Sequence, residues 1–344
     1  MKNIINFEQY DLKDIFSEID KGKRLVKNKR IKGLIPLQTA GFENYGIVDF
    51  IENKENQNYK NKITADMFGN VFFNPFVFKC DDNVHMLSSK ELNYFNGLYL
   101  TNCLRKSIKD KYSYGKQLRL KIIAKQKILL PTKKDSSPDY EYMENYMRDL
   151  ETQKLNKYKS YITKRLKELE NYKETIPLNE KKWGEFYIAD ISNIISGKDI
   201  YESERKIGQV PYISSTSINN GIHSFINNSN STLDSHYLSV NRNGSVGFSF
   251  YHPYLSLLSN DCRKLKIKYN NKFIGHFIST IIMKQKEKYG YGLKLGTERL
   301  KKQIILLPIN DQNEPDYEYM ENYIKKIEHQ KIKKYLDYLD KTGR

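Results

Sequence analysis

The sequence predicts an α+β fold: a tandem repeat of two mixed α/β domains separated by long helices that pair as an antiparallel coiled coil. Three observations carry this expectation. The string "PDYEYMENY" occurs at residues 138–146 and again at 315–323, 177 residues apart. Each copy opens an amphipathic stripe, and each is preceded by short β-branched and aromatic runs set off by turn residues. Self-similarity at a fixed offset decides architecture before local propensity does.

The repeat extends well beyond that string. "KYSYGKQLRLKIIAKQKILLP" (111–131) lies over "KYGYGLKLGTERLKKQIILLP" (288–308) in the same register. Further upstream, "GLIPL" at Gly33 lies over "GQVPY" at Gly208, and "NYGIVDFI" at Asn44 over "NNGIHSFI" at Asn219, both 175 residues apart. The 344 residues therefore divide into a first mixed domain at 1–137, a central helix and linker at 138–182, a second mixed domain at 183–314 and a C-terminal helix at 315–344.

Within each mixed domain, "GNVFFNPFVF" (69–78) and "GSVGFSFYHPY" (244–254) read as strands with turns, whereas "NKFIGHFISTIIMKQKEKYG" (271–290) has helical spacing. The central helix is predicted from Met143 to about Tyr172, with Met143, Tyr146, Leu150, Leu155, Ile162 and Leu169 on its apolar stripe. Pro138 and Asp139 suit its opening turn and Pro177 closes it. The second copy repeats the stripe with Met320, Tyr323, Ile327 and Leu339. Stripes of this length need burial, and packing on each other satisfies both; the competing arrangement packs each helix on its own domain.

With 58 Lys and Arg against 41 Asp and Glu, the formal charge is +17, and a polyanion is the natural partner. No run approaches the roughly 20 apolar residues of a spanning helix. The opening "MKNIINFEQYDLKD" lacks a signal peptide's apolar core, so a cytoplasmic protein without membrane association is expected. Cys80, Cys103 and Cys262 show neither disulfide pairing nor zinc spacing and read as reduced thiols.

No catalytic constellation emerges. "NPFV" at Asn74 lacks the second Pro of an amino-methyltransferase motif, and no Gly-rich cofactor loop follows a strand. The acids of "PDYEYMENY", with Glu151 and Glu328 downstream, have the wrong spacing for a Mg²⁺ nuclease and read as acids near a helix start. The six histidines are scattered, so no catalytic or metal site is expected.

Candidate DNA contacts follow from residue type and context: Arg and Lys suit phosphates and guanine, Asn suits adenine, and Ser or Thr suit either. In the first domain "KGKRLVKNKRIKG" (21–33) supplies Lys23, Arg24, Lys27, Lys29, Arg30 and Lys32, a set that could equally form a solvated charged loop. In the second, Arg205, Lys206, Ser214, Ser215, Thr216, Asn219, Asn220, Arg242 and Asn243 fall in polar, loop-like sequence, although "NRNG" at Asn241 also fits a hairpin turn. Tyr291, Gly292 and Lys294, with Tyr114, Gly115 and Lys116 in the first copy, are expected before a strand within reach of a nucleic-acid backbone.

The ordered set "WGEFYIADISNIISGKD" (183–199), "GQVPYISSTSINNGI" (208–222) and "KYGYGLKLGTERLKKQIILLPINDQNEPDYEYMENYI" (288–324) resembles the specificity subunits of restriction–modification systems, type I and type IIB-like. The likeness covers nearly the whole chain, and the final helix is closer to the type IIB-like branch. It implies two target recognition domains, each reading one half of a split double-stranded DNA sequence, with no catalysis in this chain. Paired helices would hold the domains apart and dock DNA methyltransferase subunits through Met143, Tyr146, Leu150, Met320, Tyr323 and Ile327. A restriction subunit stays open as a second partner. S-adenosylmethionine and Mg²⁺ would belong to the partner subunits, with no cofactor here. The first repeat departs from the pattern, with Phe7 in place of Trp183 and "LQTAGFENYG" in place of "ISSTSINNG", which leaves its loop geometry open. The competing function is a two-domain RNA-binding or scaffold protein with a helical interaction rod; the sequence lacks the aromatic signature of RNA-recognition modules.

Overall fold

Glycines that repeat in sequence also repeat in their reason for being glycine. A Cβ on Gly97 would sit 2.5 Å from the Phe73 ring, and one on Gly275 would sit 2.4 Å from the Tyr251 ring. A Cβ on Gly22 would lie 2.3 Å from the Cys80 carbonyl oxygen, and one on Gly197 1.9 Å from that of Ser259. Two close approaches of helix to strand and strand to turn are therefore built twice. The computed structural model describes residues 5–269, 271–290 and 292–342. The chain forms two compact units, Met1–Tyr158 and Lys159–Arg344.

In unit 1 the order is β1 (Asn6–Asp11), α1 (Leu12–Ile15), β2 (Glu18–Lys21), β3 (Lys32–Gln38), β4 (Ile47–Ile51), β5 (Lys62–Asp66), β6 (Val71–Asn74), β7 (Lys79–Cys80), β8 (Val84–Ser88), α2 (Tyr94–Ile108), α3 (Leu120–Ile123) and β9 (Lys127–Thr132). A further helix, α4 (Tyr140–Leu169), begins in this unit. The strands pair as β2-β8-β5-β6, β4-β3-β7 and β1-β9. Leu12, Ile63, Phe73, Leu87, Leu100, Leu104 and Met143 meet in one core.

Unit 2 repeats the series: β10 (Trp183–Tyr187), α5 (Ile188–Ile191), β11 (Ser192–Ser196), β12 (Ile207–Ile213), β13 (Ile222–Ile226), β14 (Tyr237–Asn241), β15 (Ser249–His252), β16 (Leu257–Leu258), β17 (Cys262–Ile267), α6 (Lys272–Met283), α7 (Thr297–Lys301), β18 (Ile304–Pro308) and α8 (Tyr317–Lys341). Its sheets, β11-β17-β14-β15, β13-β12-β16 and β10-β18, have the same connectivity as those of unit 1. The mixed α/β domain and the helix at 272–283 agree with the sequence expectation.

Capping is duplicated as well. Asn93 Oδ1 accepts from the Phe95 and Asn96 amides to start α2, and Asn271 Oδ1 accepts from Phe273 to start α6. Asp139 and Asp316 accept from the Tyr142 and Tyr319 amides, each at 2.9 Å, to open the long helices. The end of α4 departs from expectation. It stops at Leu169, well before Pro177, and Asn171 falls in a turn.

Candidate nucleic-acid interface

The basic segment of unit 1 is fixed through its backbone, which leaves most of its side chains outward. Leu25 is buried and its amide donates to Asp81 Oδ1 at 3.1 Å. Asn56 Nδ2 donates to the Lys23 carbonyl, and Asn53 clamps the far end by accepting from the Ile31 amide at 2.8 Å and donating to the Lys29 carbonyl at 2.9 Å. Lys23, Arg24, Lys27, Lys29 and Lys32 are exposed. Among the described residues none of these five has an ion-pair partner, although the Lys23 ammonium lies near Glu55 and donates to its carbonyl at 3.3 Å. Arg30 differs: its half-buried guanidinium lies 3.7 Å from Asp49, and it is held across the β3–β4 hairpin rather than offered to solvent.

Three loops converge beside this segment. The Leu118 amide donates to the Met67 carbonyl at 2.8 Å, tying the approach to α3 onto the β5–β6 turn. Asp66 organises that turn, accepting from the Phe68 and Asn70 amides at 2.8 and 2.9 Å. Its second oxygen accepts from the Gly41 amide at 2.8 Å, which brings in the loop after β3. Arg24, Lys27, Arg30, Met67, Asp82 and Arg119 border a hollow of about 420 Å³ between these elements. Beneath it His85 Nε2 contacts the Leu118 carbonyl at 3.0 Å, and burial holds the imidazole pKa below its ordinary value.

Unit 2 keeps the clamp and the hairpin brace of this face and changes the residues around them. Asn228, 175 residues after Asn53, is the same clamp, accepting from the Lys206 amide at 2.8 Å and donating to the Glu204 carbonyl at 2.9 Å. Arg205, like Arg30, folds over its hairpin, with the guanidinium 4.8 Å from the Tyr212 ring centre and 3.0 Å from the Ile200 carbonyl. The Ser245 amide donates to the Ser215 carbonyl, and Asn241 Nδ2 to that of Thr216, both at 3.1 Å. The Arg242 carbonyl accepts from the Leu295 amide at 3.2 Å. Ser214, Ser215, Thr216, Arg242, Asn243 and Lys294 are thus gathered on one face although the chain scatters them. "NRNG" ends β14 at Asn241 and opens the seven-residue connection to β15, on that same face. Arg242 and Asn243 both lean on Asp261, at 3.7 and 3.2 Å. Lys206 is exposed, but the seven residues of β12 separate its backbone from Ser214.

Both loops after the first long strand contain a left-handed turn. Asn44, Tyr45 and Gly46 have φ of 49°, 62° and 69°, and Asn219, Asn220 and Gly221 have 51°, 53° and 75°. The loop conformation is kept although the residues differ, and Asn219 and Asn220 are exposed upon it. The expectation that Tyr114, Gly115, Lys116, Gly292 and Lys294 precede a strand is corrected: they precede the short helices α3 and α7, and Tyr291 lies outside the described residues. Tyr114 and Lys116 are exposed on a tight turn closed between Ser113 and Lys116. Arg119, Arg105, Phe42 and Tyr45 were not singled out from sequence; only the contacts between loops bring them to this face.

Among the described residues no group of three or more His, Cys, Asp or Glu could hold a metal ion. Asn74 is buried at a strand end, donating to Gln38 Oε1 and Thr64 Oγ1 at 3.1 and 3.0 Å. At the corresponding place in unit 2, His252 Nε2 meets Ser239 Oγ at 2.8 Å, and burial lowers its pKa to about 3, which keeps it neutral.

The sequence matches the type I restriction modification DNA specificity domain twice, over residues 4–160 and 180–336. The chain belongs to this family. It is 32% identical over 341 residues to the specificity subunit S.BcgI of a type II restriction enzyme from Heyndrickxia coagulans, covering 96% of this chain and 97% of that one. Its fold is shared with the S subunit of the type I restriction-modification system from M. genitalium, at a TM-score of 0.54 and 16% identity, covering 99% of this chain and 94% of the other. The two loop faces are therefore the corresponding surfaces of two specificity domains in a restriction-modification specificity subunit.

The long helices of this specificity subunit serve their own domains first. Met143 is fully buried in the unit 1 core, and the Tyr146 ring packs edge-on against Tyr99 at 5.7 Å. Met320 is fully buried in the unit 2 core, and Tyr323 stands edge-on to Phe277 at 6.0 Å. Met143 and Met320 are corrected from partner-facing to domain-facing, because both are fully buried in their domain cores, whereas Tyr323 is half-buried and Tyr146 stays 48% exposed. Leu150 and Ile327 are half-buried farther along. In unit 2 the last turn of α4 and the chain after it run against α8 in the opposite sense. Arg165 pairs with Glu328, the Lys173 amide donates to Asn322 Oδ1 at 2.9 Å, and Tyr319 Oη donates to the Ile176 carbonyl at 2.9 Å.

Proposed function

We propose that this specificity subunit reads a two-part double-stranded DNA target, one half per unit, through the loop faces described above, and performs no chemistry itself. The observation that carries the reading is the same face built twice on one scaffold with different side chains. Lys23, Arg24, Lys27, Lys29 and Lys32 neutralise phosphates in the first half, with Lys206 and Lys294 doing so in the second. Ser214, Ser215, Thr216, Asn219, Asn220, Arg242 and Asn243 meet base edges. Arg30 and Arg205 brace the hairpins that carry these groups.

We further infer that α4 and α8 pair antiparallel as a short coiled coil that sets the distance between half-sites. The pairing of Arg165 with Glu328 supports this. Exposed surface along the helices docks DNA methyltransferase subunits in the cytoplasm, and those subunits supply S-adenosylmethionine and Mg²⁺ chemistry. Binding of the purified chain to duplex DNA and to structured RNA, with and without the methyltransferase partner, tests the proposal. Preference for one duplex sequence, strengthened by the partner, is expected. Tighter binding to RNA would favour the RNA-binding reading instead. Methyl transfer by the isolated chain would contradict its non-catalytic role.

A further inference from the structure

One part of the unit 1 loop face is not accounted for by phosphate contacts or base-edge hydrogen bonds. Phe42 is 74% exposed and Tyr45 50%, and both rest on the buried Phe72, at ring separations of 6.4 and 5.0 Å. Two neighbouring aromatic rings held outward forgo the free energy that burial would give them, and such patches mark contact surfaces.

Tyr45 is costly in a second way. It lies in the left-handed region at φ 62° and ψ 24°, between Asn44 and Gly46, which share that conformation. Asn and Gly tolerate it, whereas a bulky side chain does not. Unit 2 carries Asn220 at the corresponding place with φ 53°. The repeat thus contains its own unstrained solution, and unit 1 departs from it toward an exposed ring. The turn is locked in place: Gln38 Nε2 donates to the Tyr45 carbonyl at 2.7 Å, and the Thr39 amide donates to the Gly46 carbonyl at 2.8 Å. Strain that the surroundings enforce at an exposed loop points to function.

The surroundings indicate what the rings meet. Phe42 borders a hollow shared with Phe68, Arg105 and Lys109. On the other side of the same turn, Met67 borders the hollow that holds Arg24, Lys27 and Arg119. Tyr45 itself borders an apolar hollow with Phe76 and Tyr94. Exposed apolar rings with cations nearby suit a duplex, in which phosphates flank a groove floored by stacked bases. An apolar protein surface would desolvate Lys27 and Arg119 without offering them a partner.

Resting on the proposed DNA-reading function, we propose that Phe42 and Tyr45 form an aromatic wedge that enters the groove at one half-site and opens a base step. That half-site is then selected by how readily its step unstacks, as pyrimidine–purine steps do. Asn219 and Asn220 at the same turn of unit 2 read their half-site by hydrogen bonds to base edges.

The test uses the full chain with its methyltransferase partner on duplexes carrying the target found by methylation mapping, with 2-aminopurine placed in turn along both half-sites. The wild-type complex should raise fluorescence at one step of one half-site only. Phe42→Ala and Tyr45→Asn should each weaken binding roughly tenfold and abolish the rise, with the other half-site read as before. Tyr45→Asn also controls for folding, since its melting temperature should equal or exceed that of the wild type. The double variant binding with wild-type affinity, or an unchanged fluorescence pattern, would overturn the wedge and leave the DNA-reading function standing. Wild-type complex that ignores duplex DNA would overturn both.

Discussion

Arg165 and Glu328 form a bidentate pair, with Nε and Nη2 of the guanidinium donating to the two carboxylate oxygens at 2.6 and 3.0 Å. The pair joins the end of α4 to the middle of α8 within unit 2, and Arg165 also holds Glu168 at 2.8 Å. Such fork-to-fork geometry gives strong charge-assisted hydrogen bonds. The Arg165 bonds hold the Glu328 carboxyl below its ordinary pKa of 4.5.

A carboxyl with a depressed folded pKa contributes stability that is fully present above its unfolded pKa and is lost as pH falls through the folded value. Wild-type protein should therefore lose thermal stability as pH drops below about 4.5, the ordinary glutamate value, more steeply than Glu328→Gln does. At neutral pH, Arg165→Ala should cost about 1–3 kcal/mol, because it strips a half-buried carboxylate of two charge-assisted bonds. Melting curves across pH check both expectations.

Lys27→Ala with Lys29→Ala should weaken binding to every duplex alike. The salt dependence should flatten by roughly 0.9 in log–log slope per lost phosphate contact. A shift in sequence preference at constant slope would place these side chains on bases instead. Arg30→Ala should behave differently, lowering stability through its lost contact with Asp49 while leaving the slope nearly unchanged.

Asn53 and Asn228 each close a loop through two backbone hydrogen bonds. Asn53→Ala, at a buried site, should cost about 1–3 kcal/mol, and Asn228→Ala, whose bonds are exposed, about 0.5–1.5 kcal/mol. Each should also degrade one half of the methylated motif while sparing the other. Degradation of both halves by either substitution, measured by methylation mapping, would count against separate reading heads.

The repeat was legible because two stretches have barely diverged, and the two long helices and α6 were legible because their apolar residues keep helical spacing. Helix α6 shows that spacing plainly. The loop face was not legible, since Met67 meets Leu118, and Arg242 meets Leu295, only through tertiary hydrogen bonds between loops about fifty residues apart. Tyr45 was missed for a related reason: no propensity rule places an aromatic residue in a left-handed turn. Met143 and Met320 misled because a helical stripe shows that one face is buried without showing against what.

The helix pairing makes a further demand on spacing. Four residues inserted near Lys159 should lengthen α4 by about 6 Å and turn its face by only about 40°. The gap between half-sites should then grow by one or two base pairs, at roughly 3.4 Å each. Altered half-sites with a constant gap would mean that α4 does not set the spacing.

Methylation mapping of DNA modified by the complete complex tests the central claim most directly, when it compares the wild-type chain with one in which residues 1–137 are replaced by a second copy of 183–314. The wild type should yield two unrelated half-sites at fixed spacing, and the variant should yield the unit 2 half-site twice. A single contiguous motif, or a wild-type motif that survives the replacement, would contradict the account.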